Sequence, residues 1–152
     1  MKDVTPRVVI EECLASVPAI RALLNNSPGS FAFAVRPRED LMAEYADIVL
    51  AAVAEDDDAS LEQLFAARPS PTRPKLVLVT SGTSKPFEEE AIIHGASGIL
   101  DVSASEAVML KALACVVRGE LWVDRRTTGR VFERLSRGTI KKKFRLRLVA
   151  VC

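Results

Sequence analysis

Short apolar runs rich in β-branched residues alternate along this chain with segments in which apolar residues recur every three or four positions. The runs predict five strands, and the segments between and after them predict five helices. The predicted strands cover residues 7–10, 31–35, 47–53, 75–80 and 98–102, and the predicted helices cover 13–24, 38–45, 60–67, 86–94 and 105–117. Such alternation is typical of βαβ units, so we predict one parallel sheet with helices on both faces.

The functional crevice of an open parallel sheet lies at the carboxyl ends of its strands. The residues at or beside the carboxyl ends of the predicted strands are therefore the first candidates for a functional site: Glu11, Glu12, Ala52, Thr80 and Val102. Thr80 has a second role open to it, as a cap for the helix at 86–94 or a partner for a strand-end amide. Either Ser103 or Ser105 can cap the helix at 105–117.

The length of 152 residues suits one domain with a substantial core, and the composition, 49% hydrophobic and 27% charged, is that of a globular protein. The net charge of +1 hides an uneven distribution. Residues 1–117 carry 10 Lys/Arg against 17 Asp/Glu, whereas residues 118–152 carry 11 against 3. We therefore predict a weakly acidic domain over 1–123, followed by a basic tail over 124–152 that opens with an amphipathic helix at 125–135.

Several classes of protein find no support in the sequence. Cys13, Cys115 and Cys152 show no CxxC spacing, and the single histidine, His94, cannot build a metal cluster by itself. A GxSxG motif, a Gly-rich phosphate loop and a catalytic constellation are all missing, which argues against an enzyme and against a bound cofactor. The apolar runs are too short for a membrane span or a signal peptide, so we expect a cytoplasmic protein.

Two stretches late in the predicted domain are more specific. Residues 94–100 are His-Gly-Ala-Ser-Gly-Ile-Leu and residues 117–123 are Val-Arg-Gly-Glu-Leu-Trp-Val, with Ser105 between them. The pattern resembles the receiver domain of bacterial response regulators, in the LuxR/NarL-type branch, and the likeness covers roughly residues 6–135. It implies an α/β, flavodoxin-like (CheY-like) fold, with a five-stranded parallel sheet in strand order 2-1-3-4-5. It also implies a role in signal transduction or transcription regulation.

Receivers of this family use five groups at the ends of their strands. An acidic pair and an Asp hold Mg²⁺, the Asp accepts a phosphoryl group, and a Ser/Thr hydroxyl and a Lys neutralise the phosphoryl oxygens. In this sequence the pair falls on Glu11 and Glu12, and the hydroxyl falls on Thr80. The Asp position, however, falls on Ala52 and the Lys position on Val102, at intervals that fit the family without gaps. The resemblance therefore implies a degenerate receiver without a phosphoacceptor.

The aromatic residue that reports phosphorylation in the family is replaced by Ile99. We therefore predict a module that works independently of phosphorylation, by contact with a protein partner or with a second copy of itself. By resemblance, the contact surface lies on the fourth and fifth predicted helices and the fifth strand, and its candidate residues are Ile92, Ile93, Val108, Met109 and Lys111. Glu11 and Glu12 leave two alternatives, a weak divalent-metal site and a solvated strand end, of which the second is favoured.

The basic tail supports two hypotheses. Its densest positive positions are Lys141, Lys142, Lys143, Arg145 and Arg147. Because clustered lysine and arginine attract phosphates, one hypothesis is a truncated LuxR-type DNA-binding regulator whose tail binds nucleic acid without sequence preference. The other is an inactive remnant of an output domain, since the residues after Leu135 show no helix-turn-helix pattern.

Overall fold

The computed structural model describes residues 5–26, 29–54, 56–70 and 73–137. Five strands lie within these residues: β1 (Arg7–Glu11), β2 (Ala32–Arg36), β3 (Ile48–Ala52), β4 (Lys75–Thr80) and β5 (Ala96–Asp101). The α-helices are α1 (Pro18–Asn26), α2 (Asp58–Ala67), α3 (Lys85–Ile93), α4 (Glu106–Val117) and α5 (Arg125–Ser136). The basic positions Lys141, Lys142, Lys143, Arg145 and Arg147 lie outside the described residues.

The strands form one parallel sheet in the order β2-β1-β3-β4-β5, which confirms the predicted architecture and strand order. Helices cover both faces, and successive strand residues point to opposite sides. On β1, Val9 packs in one apolar cluster with α2 and α3, whereas Val8 and Ile10 pack in a second cluster with α1 and α4. The core therefore has two layers, one on each side of the sheet.

The segment predicted as one helix at 13–24 is divided into a 3₁₀ helix, Glu12–Ser16, and α1. Pro18 explains the division, because it lacks an N–H donor and clashes with a preceding helical turn, so it serves as the first residue of α1. Ser105 is confirmed as the cap of α4. The helices predicted at 60–67, 86–94 and 105–117 are confirmed, with ends that move by one or two residues. None of the helices in the described part of the chain has the length and apolarity to cross a membrane.

The region after β2 is a turn rather than the helix predicted at 38–45. It keeps one short 3₁₀ helix, Arg38–Asp40. Leu41 is 1% exposed and anchors the segment on the core. Residues 43–45 are exposed, so the segment lacks the second row of apolar residues that a packed helix needs. The turn brings Arg38 to the carboxyl ends of β1 and β3.

The segment after α4 covers β5, which is an edge strand of the sheet. The N–H of Trp122 donates to the carbonyl of Ser97 at 2.9 Å, and the N–H of Ile99 donates to the carbonyl of Trp122 at 3.1 Å. A Cβ atom at Gly98 would lie 3.0 Å from the Cβ of Trp122, which explains the glycine at this point. Covering the edge blocks its pairing with another strand.

The chain continues beyond Val123 into α5, which packs against the domain. Val131 on α5 is 2% exposed and joins the apolar cluster that contains α3. Lys85 and Asp124 form an ion pair where α3 and α5 begin. The division of the chain into a domain over 1–123 and a tail over 124–152 stays a prediction.

Candidate functional site

Four of the five predicted site residues lie at the carboxyl ends of the strands. Glu11, Ala52 and Thr80 end β1, β3 and β4. Val102 follows β5, and its N–H donates to the carbonyl of Thr80 at 2.8 Å. Glu12 differs, because it begins the 3₁₀ helix after β1 and is exposed. Of the acidic pair, only Glu11 is therefore buried at the strand ends.

Glu11 is 8% exposed and has two partners in the crevice. The N–H of Ala52 donates to Glu11 Oε1 at 2.9 Å. The guanidinium of Arg38 lies 3.3 Å from the same oxygen. Arg38 also donates to the carbonyl of Ala52 at 3.3 Å and to the hydroxyl of Ser60. One guanidinium therefore joins the ends of β1 and β3 to the first turn of α2.

The crevice does not fit the Mg²⁺ that the resemblance implies. Mg²⁺ takes oxygen ligands in near-octahedral geometry, and carboxylates offset its charge. Ala52 offers a methyl group where the resemblance implies a carboxylate, and Glu11 already faces the guanidinium of Arg38. Within the residues that the structure describes, no group of three or more His, Cys, Asp or Glu side chains is placed to hold a metal.

The two acidic residues of the loop after β3 whose side chains the structure describes, Asp56 and Asp57, do not lie at the end of β3. Asp57 Oδ1 accepts a hydrogen bond from the N–H of Ser60 at 3.1 Å, which makes Asp57 the N-cap of α2. Asp56 is exposed to solvent. The position at the end of β3 itself belongs to Ala52.

Thr80 keeps its hydroxyl at the crevice but does not cap a helix. Ser84 caps α3 by accepting from the N–H of Phe87 at 3.3 Å, so the capping role expected for Thr80 is wrong. Thr80 is 3% exposed, and its hydroxyl donates to the carbonyl of Leu100 at 3.5 Å. Thr80 does not cap α3 because it is the last residue of β4 and lies beside β5 rather than next to the start of α3.

The structure adds one carboxylate at the carboxyl ends of the strands that the sequence did not reveal. Asp101 ends β5 opposite Thr80. Its side chain accepts from the N–H of Gly82 at 3.0 Å and from the N–H of Ser103 at 2.9 Å, as well as from the Ser103 hydroxyl. These hydrogen bonds, above all that of the Ser103 hydroxyl, hold the pKa of Asp101 below its ordinary value. Asp101 therefore ties together the loops that follow β4 and β5.

A cavity of about 530 Å³ opens beside the carboxyl ends of β4 and β5. Ile99, which the resemblance aligns with the reporting aromatic of receivers, lines it together with Trp122 and is half-buried. Val102, which the resemblance aligns with the lysine of receivers, packs against the apolar cluster of α1 and α4. Neither residue brings a charge or a side-chain donor to the crevice.

Three of the five residues predicted for the contact surface belong to the core. Ile92, Ile93 and Met109 are 0%, 2% and 0% exposed, because the apolar stripes of α3 and α4 face the sheet. Their assignment to a contact surface is wrong. Val108, at 40% exposure, and Lys111 lie on the outer face of α4.

Part of the outer face of α3 is already covered by α5. Glu89 on α3 is 9% exposed and lies 3.3 Å from Arg130 and 3.7 Å from Arg134. Arg134 also lies 2.8 Å from Glu90. With α5 on α3 and Trp122 on β5, the exposed part of the predicted surface is the outer face of α4.

The two described cysteines do not offer an activated nucleophile. Burial raises the pKa of the Cys13 thiol, and the nearby carboxylate of Glu11 raises it further. Burial and the carboxylate of Glu120 raise the pKa of Cys115 in the same way. A thiol with a raised pKa stays protonated at neutral pH, where the thiolate is the nucleophile.

No family model and no curated protein matches the chain. Among solved structures, it is similar to a LuxR family DNA-binding response regulator from Silicibacter pomeroyi, with 20% identity and a TM-score of 0.61 over 81% of this chain and 99% of that one. A LuxR family two-component response regulator from Aurantimonas sp. SI85-9A1 has 17% identity and a TM-score of 0.60, over 88% of this chain and 99% of that one. A third similar structure is RcsB from Salmonella enterica serovar Typhimurium, solved bound to promoter P1flhDC with the phosphomimetic BeF3-. It has 13% identity and a TM-score of 0.59, over 89% of this chain and 70% of that one.

These similarities, together with the strand order, confirm that the chain has the fold of response-regulator receivers. At such identities the likeness concerns the fold, so function has to be argued from the site. Sequence reasoning missed Arg38 because it considered the ends of β1, β3, β4 and β5 only. A signal was present, since Arg38 follows β2 and the expected strand order places β2 beside β1.

Proposed function

We propose that this chain is a receiver-like signalling or transcription-regulatory module that works without phosphorylation, by binding a protein partner or a second copy of itself. The observation that carries the proposal is Ala52, which ends β3 where phosphorylated receivers have their acceptor Asp. A methyl group has no nucleophilic oxygen, so no acyl phosphate forms there. Two other residues at the strand ends support the proposal. Glu11 forms an ion pair with Arg38, and Val102 lacks a positive charge. We expect no enzymatic activity, no cofactor, and action in the cytoplasm.

The proposal is tested by treating the protein with acetyl phosphate and Mg²⁺, and separately with beryllofluoride and Mg²⁺. We expect an unchanged intact mass after acetyl phosphate and an unchanged amide NMR spectrum after beryllofluoride. A receiver with its acceptor Asp, treated in parallel, serves as the positive control. One added phosphoryl group that maps to Glu11, Glu12, Asp56 or Asp57 would show that the crevice is a working phosphorylation site.

The partner surface is proposed on the outer face of α4. Val108 is an exposed apolar residue there, and Lys111 lies one helical turn further along the same face. We expect the double variant Val108→Asp, Lys111→Glu to weaken self-association or partner binding, measured by size exclusion with light scattering. Gln63→Glu, an exposed change on α2, is the matched control. Unchanged association in the double variant would place the surface elsewhere.

The uneven charge favours a second candidate function, contact with nucleic acid phosphates. Arg125, Arg126 and Arg137 are exposed at the two ends of α5, within the predicted basic tail. We expect weak binding that is indifferent to base sequence and falls steeply as salt rises, because the attraction comes from counterion release. Gel shifts with unrelated duplexes at low and moderate salt measure it. Tight, salt-resistant preference for one duplex would contradict this view.

A further inference from the structure

The guanidinium of Arg38 lies against Glu11 and Ala52, two positions at which the receiver resemblance implies ligands of a divalent cation. We propose that Arg38 is a built-in cation, which neutralises Glu11 and closes the crevice to Mg²⁺. The inference deepens the proposed function and rests on it, because a crevice with a permanent cation does not serve metal-dependent phosphoryl transfer.

The charge of Glu11 is the first support for this role. The Glu11 side chain is 11% exposed, and a buried carboxylate needs hydrogen bonds and an opposite charge. The N–H of Ala52 supplies a hydrogen bond at 2.9 Å. Arg38 supplies the opposite charge at 3.3 Å. Without Arg38, Glu11 is left with an uncompensated charge that another cation can neutralise.

The shape of the guanidinium is the second support. Arginine presents five donors in a rigid planar fork, whereas lysine presents a compact point charge. Nη2 of Arg38 donates to the Ala52 carbonyl and the Ser60 hydroxyl, while Nη1 lies 3.3 Å from the Glu11 carboxylate. Carboxylate and carbonyl oxygens are also the ligands that divalent cations take. Arg38 therefore engages the oxygens that a metal would need, and its own charge repels a divalent ion.

The test compares the full-length wild type with Arg38→Ala, and uses Arg36→Ala as the matched control. Arg36 also carries a guanidinium, but it pairs with the exposed Glu44 at 2.8 Å. For Arg38→Ala we expect a thermal midpoint about 5 °C lower than that of the wild type. We also expect it to bind Mn²⁺ with a dissociation constant on the order of 1 mM, measured by electron paramagnetic resonance. Mg²⁺ should raise its midpoint, and should leave the wild type and Arg36→Ala unchanged.

Two further variants separate charge from shape. Arg38→Lys keeps the positive charge and loses the fork, so we expect a lower midpoint without metal binding. Adding Glu11→Gln to Arg38→Ala should abolish Mn²⁺ binding, because the carboxylate that draws the ion is gone. If Arg38→Ala does not fold, Arg38→Met keeps the apolar stem of the side chain and is measured in its place.

Two outcomes overturn the role of Arg38. One is Mn²⁺ binding by the wild type as tight as that of Arg38→Ala. The other is a loss of stability in Arg38→Ala without any gain of metal binding, which would make Arg38 a structural residue only. Phosphorylation of the wild type would overturn the proposed function instead, and the mass measurement detects it independently of the metal titrations.

Discussion

Two buried glutamates pair with arginine in two regions of the molecule, and their surroundings differ. Glu11 and Glu89 are 8% and 9% exposed. At the strand ends, Glu11 pairs with Arg38, which also donates to the backbone of β3. Between α3 and α5, Glu89 pairs with Arg130 and Arg134, whose side chains are 50% and 32% exposed.

The difference shows how one kind of ion pair serves two purposes. Arg38 binds a carbonyl and a hydroxyl of β3 and α2, and Glu11 also accepts from the Ala52 N–H, so removing Glu11 leaves a strand-end N–H without its acceptor. The arginines of α5 approach Glu89 from a surface helix, where water replaces a lost partner more readily. We therefore expect the crevice pair to act on global stability and the helix pair to act on the attachment of α5.

The largest effect is expected for Glu11→Ala. The change leaves the Ala52 N–H without its acceptor and removes the carboxylate that faces the Arg38 guanidinium at 3.3 Å. We expect a loss of about 2 to 3 kcal/mol in the free energy of unfolding, measured by urea denaturation. Glu12→Ala, an exposed change next to it, should stay within about 0.5 kcal/mol. Equal effects of the two variants would refute the contrast.

Val131→Ala sharpens the comparison from the apolar side of α5. Val131 is 2% exposed, and the change removes two buried methyl groups, so we expect a loss of about 1.5 kcal/mol in the attachment of α5. Amide hydrogen exchange along 125–136 measures that attachment. Phe132→Ala is the control, since Phe132 is 55% exposed on the next position. Unchanged protection of α5 in Val131→Ala would mean that the contact with α3 contributes little.

Glu89→Ala is expected to cost less than Glu11→Ala. Arg130 is 50% exposed and regains water, and Arg134 keeps its pair with Glu90, so we expect a loss of about 1 kcal/mol. Urea denaturation and hydrogen exchange of α5 measure it together. Glu133→Ala, which breaks the exposed pair with Arg137, should change stability by less than about 0.5 kcal/mol. A loss as large as that of Glu11→Ala would remove the distinction between the two regions.

The smallest effect is a pH dependence at the start of α5. The Lys85 ammonium and the N–H of Thr127 lower the pKa of Asp124 from 3.8 to about 2. Because the folded-state pKa is depressed, the contribution of Asp124 is complete above the unfolded value of 3.8 and is lost as the pH falls towards about 2. Asp124→Asn keeps the helix cap and removes the charge. The difference in thermal midpoint between wild type and variant should therefore shrink between about pH 5 and pH 2. A constant difference would contradict the shift.

The candidate site was predictable where it depended on the ends of strands. Ala52 and Val102 stand at the ends of apolar runs, so their chemistry, a methyl group and an isopropyl group, follows from residue identity alone. Ile92 and Met109 were misassigned, because a helix buried on one face does not reveal from sequence which residues a neighbouring helix or sheet will cover. The turn at Arg38–Asp40 was likewise predicted as part of a helix, because its residues are compatible with one. The structure has a turn there, since these residues lack an apolar face.

The sequence by itself determined the five strands, the parallel sheet and the residue that ends β3, Ala52. These features depend on local periodicity and on residue identity, which neighbouring residues along the chain carry. Only the tertiary structure decided that Arg38 reaches Glu11 and that Arg130 and Arg134 reach Glu89. These partners are far apart in sequence, and a long arginine side chain has many rotamers, so its partner is chosen by the packing of whole elements and not by the local pattern.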